Sequence, residues 1–478
     1  MNEKDLIQQG EVKTAEDAQL DKPITGSLLL MFGLPTIIAF LVMNTFNIVD
    51  GVFAMRALGA ESMAAISVLT PFIIITIAIG ILFSMGGSAL VAKKNGMGLK
   101  HEARQNFTLI SIVAFVLSSL VAAYAIIIPE HLLGLLGANY EIIDYAKSYL
   151  RIVAFSVPLV TVGQVFNQFL IADGKPGLGM GVSLLGSVLS AGLNAFFLFG
   201  LEWGIEGLGW ATLIGYTVTV FIGIMCFARS KTGTLYFVAP RFDLNAIGIS
   251  ILNGSGAFIS TVVASVVTIV MNNVLVRMDG IGAMGIAVAG MVMAVHATIG
   301  TLFTGYLAGT SPLISYNHGK GNHERQKALF KLNIKFLSVL AVIAVSVTLI
   351  FSNLLISIYV PAGTEIHEMA GRGLRIASMS FIFMGFNIFA AGQFAALNKG
   401  FIAGILSIVR TVGFNLMLLL TLPRIFDLTG VWMATPLSEA IAIIISISVL
   451  LMLGKKYNYL GNENEIYATQ PIVSTSQI

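Results

Sequence analysis

Long apolar runs separated by short polar ones dominate this chain. A helix that spans the ~30 Å hydrocarbon core of a bilayer needs about 20 mostly apolar residues. Twelve segments reach that length: about 26–52, 61–91, 106–128, 148–171, 177–200, 207–229, 247–276, 284–315, 333–358, 372–397, 402–423 and 429–452. The pattern predicts an all-α polytopic membrane protein with twelve transmembrane helices. Residues 1–25 are polar and of mixed charge, with no basic stretch leading into a short apolar core. A cleaved secretory signal is therefore not expected, and the first helix should insert and stay.

The polar runs carry their own pattern. Shifting the sequence by 223 residues lays "GGSALVAKKNGMGLKHEARQNF" (86–107) on "GTSPLISYNHGKGNHERQKALF" (309–330) without a gap. Gly86, Ser88, Leu90, Gly96, Gly98 and Phe107 recur as Gly309, Ser311, Leu313, Gly319, Gly321 and Phe330. The same shift pairs Gly59-Ala60 with Gly282-Ala283, and "GLGWAT" (207–212) with "GVWMAT" (430–435). Two six-helix bundles are expected, pseudo-symmetric and inserted the same way round, so related by an axis along the membrane normal. The expected domains are a tail (1–25), a first lobe (26–229), a connector (230–246), a second lobe (247–453) and a closing tail (454–478). Lys93, Lys94, Lys100 and Arg104 follow segment 2, and Lys320, Arg325, Lys327 and Lys331 follow segment 8. The stretch from 229 to 241 holds Arg229, Lys231 and Arg241, whereas the alternate loops are acidic or sparse in charge. The positive-inside rule then predicts that these loops and both termini face the cytoplasm.

Composition narrows the function. Only 11% of the 478 residues are charged and 56% are hydrophobic, with mean hydropathy +0.88. A soluble domain carries roughly 25% charged residues. The lone Cys226 excludes a disulfide framework. No phosphate-binding G-x-x-x-x-G-K-[ST] loop appears, which argues against transport driven by ATP within this chain. No Cys/His cluster has metal-ligand spacing, so no metal and no organic cofactor are expected. Nucleic acid is not an expected partner, and no paired catalytic groups suggest an enzyme.

Candidate chemistry lies in the few polar residues inside the apolar segments. Counting acids there leaves two, Asp50 in segment 1 and Glu439 in segment 12. An ionised side chain at a helix centre costs about 2.5–3.5 kcal/mol on insertion scales, so such groups face a cavity, find a partner or take a proton. Asn44, Asn47 and Asp50 are spaced by threes, which puts them on one helix arc. Pro35 precedes Asp50 by fifteen residues, about 22 Å of helix, and proline lets a helix bend. The alternative for Asp50 is an inert structural acid near the outer interface. Glu439 is a candidate contact for a cationic substrate, or the structural partner of Arg410 in segment 11. His296 in segment 8 is read as a packed, hydrogen-bonded residue. The 31 Phe and 20 Met residues suit a cleft for flat cations, although they equally suit helix packing and lipid faces.

Twelve helices in two halves, with "GGSALVAKKNGMG" after segment 2, resemble the multidrug and toxin extrusion (MATE) family. "FNQFLIADGKP" (166–176) looks like that family's turn between helices 4 and 5, with Ile171 in place of an arginine and Asp173, Gly174 and Pro176 matching. "GTSPLISYNHGKGNHER" looks like its helix 8–9 turn, and residues 410–439 resemble the end of the bacterial branch with DinF- and MepA-like members. The resemblance covers about residues 25–455. It implies a secondary active antiporter in the bacterial inner membrane. Such a carrier exports drugs, toxins or organic cations by alternating access, in exchange for protons or sodium ions. In the DinF-like branch a helix 1 aspartate and proline couple protonation to helix bending, and Asp50 and Pro35 match that pair. The family often reads Asn-x-x-x-Asp-Pro in helix 5, where this chain has Ser190, Asn194 and Ala195.

The resemblance thus makes Asp50, Asn47, Ser190 and Asn194 candidates for the coupling ion. Asn44, Asn167 and Glu439 become candidates for the substrate, and Pro35 for helix bending. Loss of the second carboxylate at Asn194 favours protons over sodium, and the 223-residue shift places Asn273, which does not titrate, where Asp50 stands. The alternatives are a sodium-coupled antiporter of the same family, a lipid-linked-precursor flippase, and, from another class, a channel or membrane scaffold. A flippase usually needs a cationic cavity, and Arg410 is the one basic residue well inside a span. Membrane lipid is an expected partner and a monomer the expected state.

Overall fold

The computed structural model describes residues 19–136, 143–229, 234–278, 282–457 and 459–460; within helices, the side chains of 46–64, 67, 229, 282, 283 and 286 lie outside that description. The described secondary structure is helical. In chain order the helices are α1 (Gly26–Gly96), α2 (Lys100–Ile127), the short α3 (Pro129–Leu135), α4 (Ile143–Ala172), α5 (Pro176–Ala195), α6 (Ile205–Arg229), α7 (Leu244–Val276), α8 (Gly282–Gly319), α9 (His323–Ser357), α10 (Glu365–Ser378), α11 (Phe381–Ala396), α12 (Gly400–Ile408), α13 (Met417–Thr421) and α14 (Pro423–Gly454). Two π-helical stretches extend this list, Phe196–Gly200 after α5 and Val409–Leu416 between α12 and α13. Among the described residues eleven helices are long and apolar enough to cross a membrane, or twelve when α10 and α11 count as one span. The chain is an all-α polytopic membrane protein.

Three departures from the sequence reading have local causes. Segments 1 and 2 were expected as separate helices, but α1 is helical through both. The intervening "VFAMRALGAESM" lacks proline and is rich in Ala, Met and Leu, the strong helix formers. Among its described residues, Gly26–Thr45 and Val68–Gly96 of α1 qualify as spans. Segment 10 was expected as one helix, but it bends by 48° between α10 and α11. There Ser378 Oγ donates to the Arg375 carbonyl and Ser380 Oγ to the Ala377 carbonyl, both at 2.7 Å. These hydroxyls compete with the peptide ladder at the break. Finally, α9 begins at His323, about ten residues before the expected start of segment 9. Asn322 Oδ1 accepts from the Arg325 amide at 3.1 Å and caps the helix, so its polar first turns extend beyond the apolar run.

The 223-residue shift reappears in backbone geometry. After α1, Met97 N donates to Lys93 O, Gly98 N to Asn95 O and Leu99 N to Lys94 O; after α8, Lys320 N donates to Tyr316 O, Gly321 N to His318 O and Asn322 N to Asn317 O. Gly98 and Gly321 sit at φ +80° and +66°, a conformation that glycine adopts without a Cβ penalty. The turns after α4 and α11 agree bond for bond too, at a shift one residue longer. Asp173, Gly174 and Lys175 donate to Phe169, Ile171 and Leu170, while Leu397, Asn398 and Lys399 donate to Gln393, Ala395 and Phe394. Gly174 and Asn398 both have positive φ, and asparagine is among the few other residues that tolerate it.

α1 packs against both α7 and α8, so the two halves meet along it. Membrane helices gain little hydrophobic free energy from touching one another, and close packing through small residues takes its place. A Cβ on Gly96 would run into the Tyr316 carbonyl, and one on Gly319 into the Lys93 carbonyl. These two contacts are mates under the 223-residue shift. Gly86 lies against Ser250 of α7 and Gly309 against Phe32 of α1 with the same lack of room. Gln168 Nε2 adds a hydrogen bond from α4 to the Ala308 carbonyl of α8, at 2.8 Å.

Each half is also clasped at its basic end by an arginine. Arg325 Nη1 donates to Asp21 O at 3.1 Å, Nη2 donates to Leu20 O at 2.9 Å and Lys22 O at 2.8 Å, and Nε donates to Asn317 Oδ1 at 2.6 Å. Leu20 is fully buried among Leu28, Phe32, Leu313, Tyr316 and Leu329. In the first half Arg104 Nε donates to Thr234 O at 2.8 Å, and its guanidinium lies over the Tyr236 ring.

Candidate functional site

The candidate polar side chains of the first half come from α1, α4 and α5. Asn167 Nδ2 of α4 donates to Ser183 Oγ of α5 at 2.7 Å, and Gly179 of α5 leaves the room that Asn167 Oδ1 occupies. Asn194 is 2% exposed and lies just before the π-helical stretch. Ser190, half-buried, faces Gly215 of α6 across a gap that a further Cβ would nearly close. Asn44 reaches the other half, where Thr298 of α8 donates to its Oδ1 at 3.4 Å. The side chains of Asn47 and Asp50 lie outside the described residues; their backbone continues the α1 helix. Pro35 is half-buried within α1. The next residue, Thr36, donates its hydroxyl to Gly33 O at 2.8 Å and to Phe32 O at 3.1 Å. That hydroxyl serves two carbonyls in the turn where proline takes away an amide donor. Pro35 also lines a groove of about 600 Å³ with Leu30, Leu34, Lys175 and Leu178.

The second half holds a different set. Glu439 of α14 is 3% exposed. Its Oε1 accepts from Arg410 Nε at 2.8 Å, and its Oε2 accepts from Asn387 Nδ2 of α11 at 2.7 Å. Asn387 Nδ2 also donates to the Glu439 carbonyl at 3.0 Å, while its Oδ1 accepts from Ser446 Oγ at 2.7 Å. The pairing of Glu439 with Arg410, one of the two readings open from the sequence, is the arrangement found. Asn387 and Ser446 went unnoticed there. Their signal was one of the two amides in "FIFMGFNIFAAGQF" and a serine seven residues past the glutamate, both weak without a known contact. His296 of α8 is buried, lies 2.7 Å from Ser380 Oγ through Nε2 and stacks on Phe381.

The family model of MatE matches residues 35–196 and again 256–421, once in each half at nearly the spacing of the repeat. The chain belongs to the MatE family. It is 25% identical over 433 residues to the multidrug export protein MepA of Staphylococcus saprophyticus, covering 89% of this chain and 93% of that protein. Among solved structures it is similar to a multidrug resistance MATE family transporter of the MOP superfamily in an outward-facing conformation. That match has a TM-score of 0.85 at 20% identity and covers 94% of this chain and 100% of the other. A MATE crystal structure in the straight conformation gives 0.85 at 19%, covering 90% and 96%. As a MatE protein the chain is a transporter and not an enzyme.

Among the described residues of this MatE chain, no group of three His, Cys, Asp or Glu side chains is placed to hold a metal ion. One acid that the sequence reading assigned to a loop is in fact buried. Asp173, 1% exposed, accepts from Leu235 N at 2.8 Å and from Thr234 Oγ1, and pairs with Lys175 at 2.8 Å. Burial pushes its carboxyl above the usual range, against the pull of Lys175 and the two connector donors. Its contacts tie the end of α4 to the segment that leads into α7, so it is a tether for the connector.

Proposed function

We propose that this MatE protein is a multidrug efflux antiporter that exchanges protons for drugs, chiefly cationic ones, by alternating access. Two six-helix lobes, 26–229 and 247–453, would move about the connector 230–246, with both termini on the cytoplasmic side of a bacterial inner membrane. The observation that carries the proton assignment is the distribution of acid inside the apolar segments of the sequence. Of the two carboxylates there, Glu439 already has both oxygens engaged by Arg410 and Asn387. Asp50 is left as the group to take and release a proton, among the neutral Asn44, Asn47, Ser190 and Asn194. Burial raises a carboxylate's proton affinity toward the neutral range. Protonation would remove the charge that holds the polar arc of α1 in place and let the helix bend at Pro35. Asn44 and Asn167 then serve the substrate, and Glu439 serves as the counter-ion of Arg410.

Reconstituted protein in liposomes tests this reading with a fluorescent organic cation, under a pH gradient alone and then a sodium gradient alone. The expected result is efflux driven by the pH gradient in wild type and background flux in Asp50→Asn. Flux driven only by sodium would replace the proton with sodium as coupling ion. Flux in Asp50→Asn equal to wild type would make Asp50 structural.

A further inference from the structure

The Arg410–Glu439 pair is unevenly shared. The glutamate has a donor on each oxygen. The guanidinium is not. Among the described residues it makes one hydrogen bond, from Nε, and its Nη1 and Nη2 groups make none, although neither is sealed off from accessible space. The Arg410 side chain keeps 13% of its exposure against 4% for Glu439. A charged side chain in a span faces the bundle interior or a wet cavity rather than lipid. Arg410 therefore presents its Nη edge, two parallel N–H donors in the geometry that matches a carboxylate, to the interior of the second half.

The backbone supports that presentation. Arg410 sits in the π-helical stretch Val409–Leu416, where none of the eight residues is buried. Such bulges are frequent at functional sites. Asn415 is the fifth residue after Arg410 in the same stretch, the spacing of the backbone hydrogen bond in a π-helix. Asn415 Oδ1 is enclosed and has no partner among the described residues. A spare cationic fork and an idle acceptor one turn away are complementary to a molecule that carries both a carboxylate and an ammonium group.

We propose that Arg410, held by Glu439 and assisted by Asn415, is a recognition site in the second half for the carboxylate of amphoteric substrates. This rests on the reading of the chain as a drug carrier. Glu439 then orients the fork: it occupies the Nε corner and leaves the Nη edge free.

The test compares a fluoroquinolone bearing a free carboxylate with its methyl ester and with ethidium. Two variants keep the local charge balanced. Arg410→Lys retains the ion pair but loses the planar fork, and Arg410→Gln with Glu439→Gln removes both charges and leaves Asn387 a partner. Binding to purified protein and liposome efflux are both measured. A charge-assisted contact predicts that each variant weakens the free acid by about tenfold or more, with ester and ethidium within about twofold of wild type. Equal losses for all three compounds in folded variants would overturn the proposal, as would undiminished binding of the acid. Should wild type bind the acid but transport none of the compounds, the carrier reading fails while the binding comparison still decides the role of Arg410.

Discussion

The two halves share a backbone plan and differ in how they carry polarity into the membrane. The candidate site residues of the first half whose side chains are described, Asn44, Asn167, Ser190 and Asn194, are neutral. Asp50 stands with them in sequence, on the arc of Asn44 and Asn47. In the second half the acid has an arginine at 2.8 Å and an asparagine at 2.7 Å. There the carboxylate and the guanidinium hold each other in place. On the proposed reading the duplicated fold separates two tasks, with mobile charge at Asp50 in one half and the fixed Arg410–Glu439 pair in the other.

The largest effect that would break this comparison is functional. Asp50→Asn is expected to reduce proton-driven efflux to background, while the charge-balanced Arg410→Gln/Glu439→Gln variant keeps proton-driven efflux of a cation. The reverse result would move the coupling site to the second half. Next comes stability. Glu439→Gln alone leaves the half-buried Arg410 without its counter-charge and is expected to cost up to about 3–5 kcal/mol, and the double variant should recover most of that in thermal unfolding of the detergent-solubilised protein. No recovery would mean that the pair's value lies elsewhere.

The shared plan is tested by smaller changes. Gly96→Ala and Gly319→Ala place a methyl group against backbone on either side of one crossing. Equal destabilisation of about 1–3 kcal/mol is expected, and unequal costs would show that the crossing is not symmetric. Arg325→Ala removes donors to three carbonyls of residues 20–22, whereas Arg104→Ala removes one donor to Thr234 and a ring contact. Limited proteolysis of the segment before α1 should rise several-fold in the first variant and stay unchanged in the second. The smallest effect is at the exposed Lys147–Glu130 pair, 2.8 Å apart. The hydrogen bond and charge of Lys147 hold Glu130 below the usual carboxylate range. Its contribution is therefore present at neutral pH and lost only as pH falls through that lowered value. Lys147→Ala should leave the melting temperature at pH 7 within error.

Residue types spaced along the chain settled a great deal. The apolar runs set the number of spans, eleven or twelve among the described residues, because a bilayer admits few other ways to satisfy a backbone. The shift that matched Gly98 with Gly321 predicted turns that agree bond for bond, since a positive φ limits the residues that fit. Asp50 and Glu439 were visible as acids in hydrocarbon. Contact was not visible. Whether Glu439 meets a substrate or Arg410 depends on how α14 and the π-helical stretch are rotated against each other, and a local hydrophobic pattern fixes that only to within a face. Asp173 looked like a loop acid because its partners, Thr234 and Leu235, lie some sixty residues away. The sequence determined which groups must leave the lipid, as their solvation cost is a property of each residue. The tertiary structure decided which of them meet, as pairing depends on the ångström-scale approach of helices that glycines such as Gly96 and Gly319 permit.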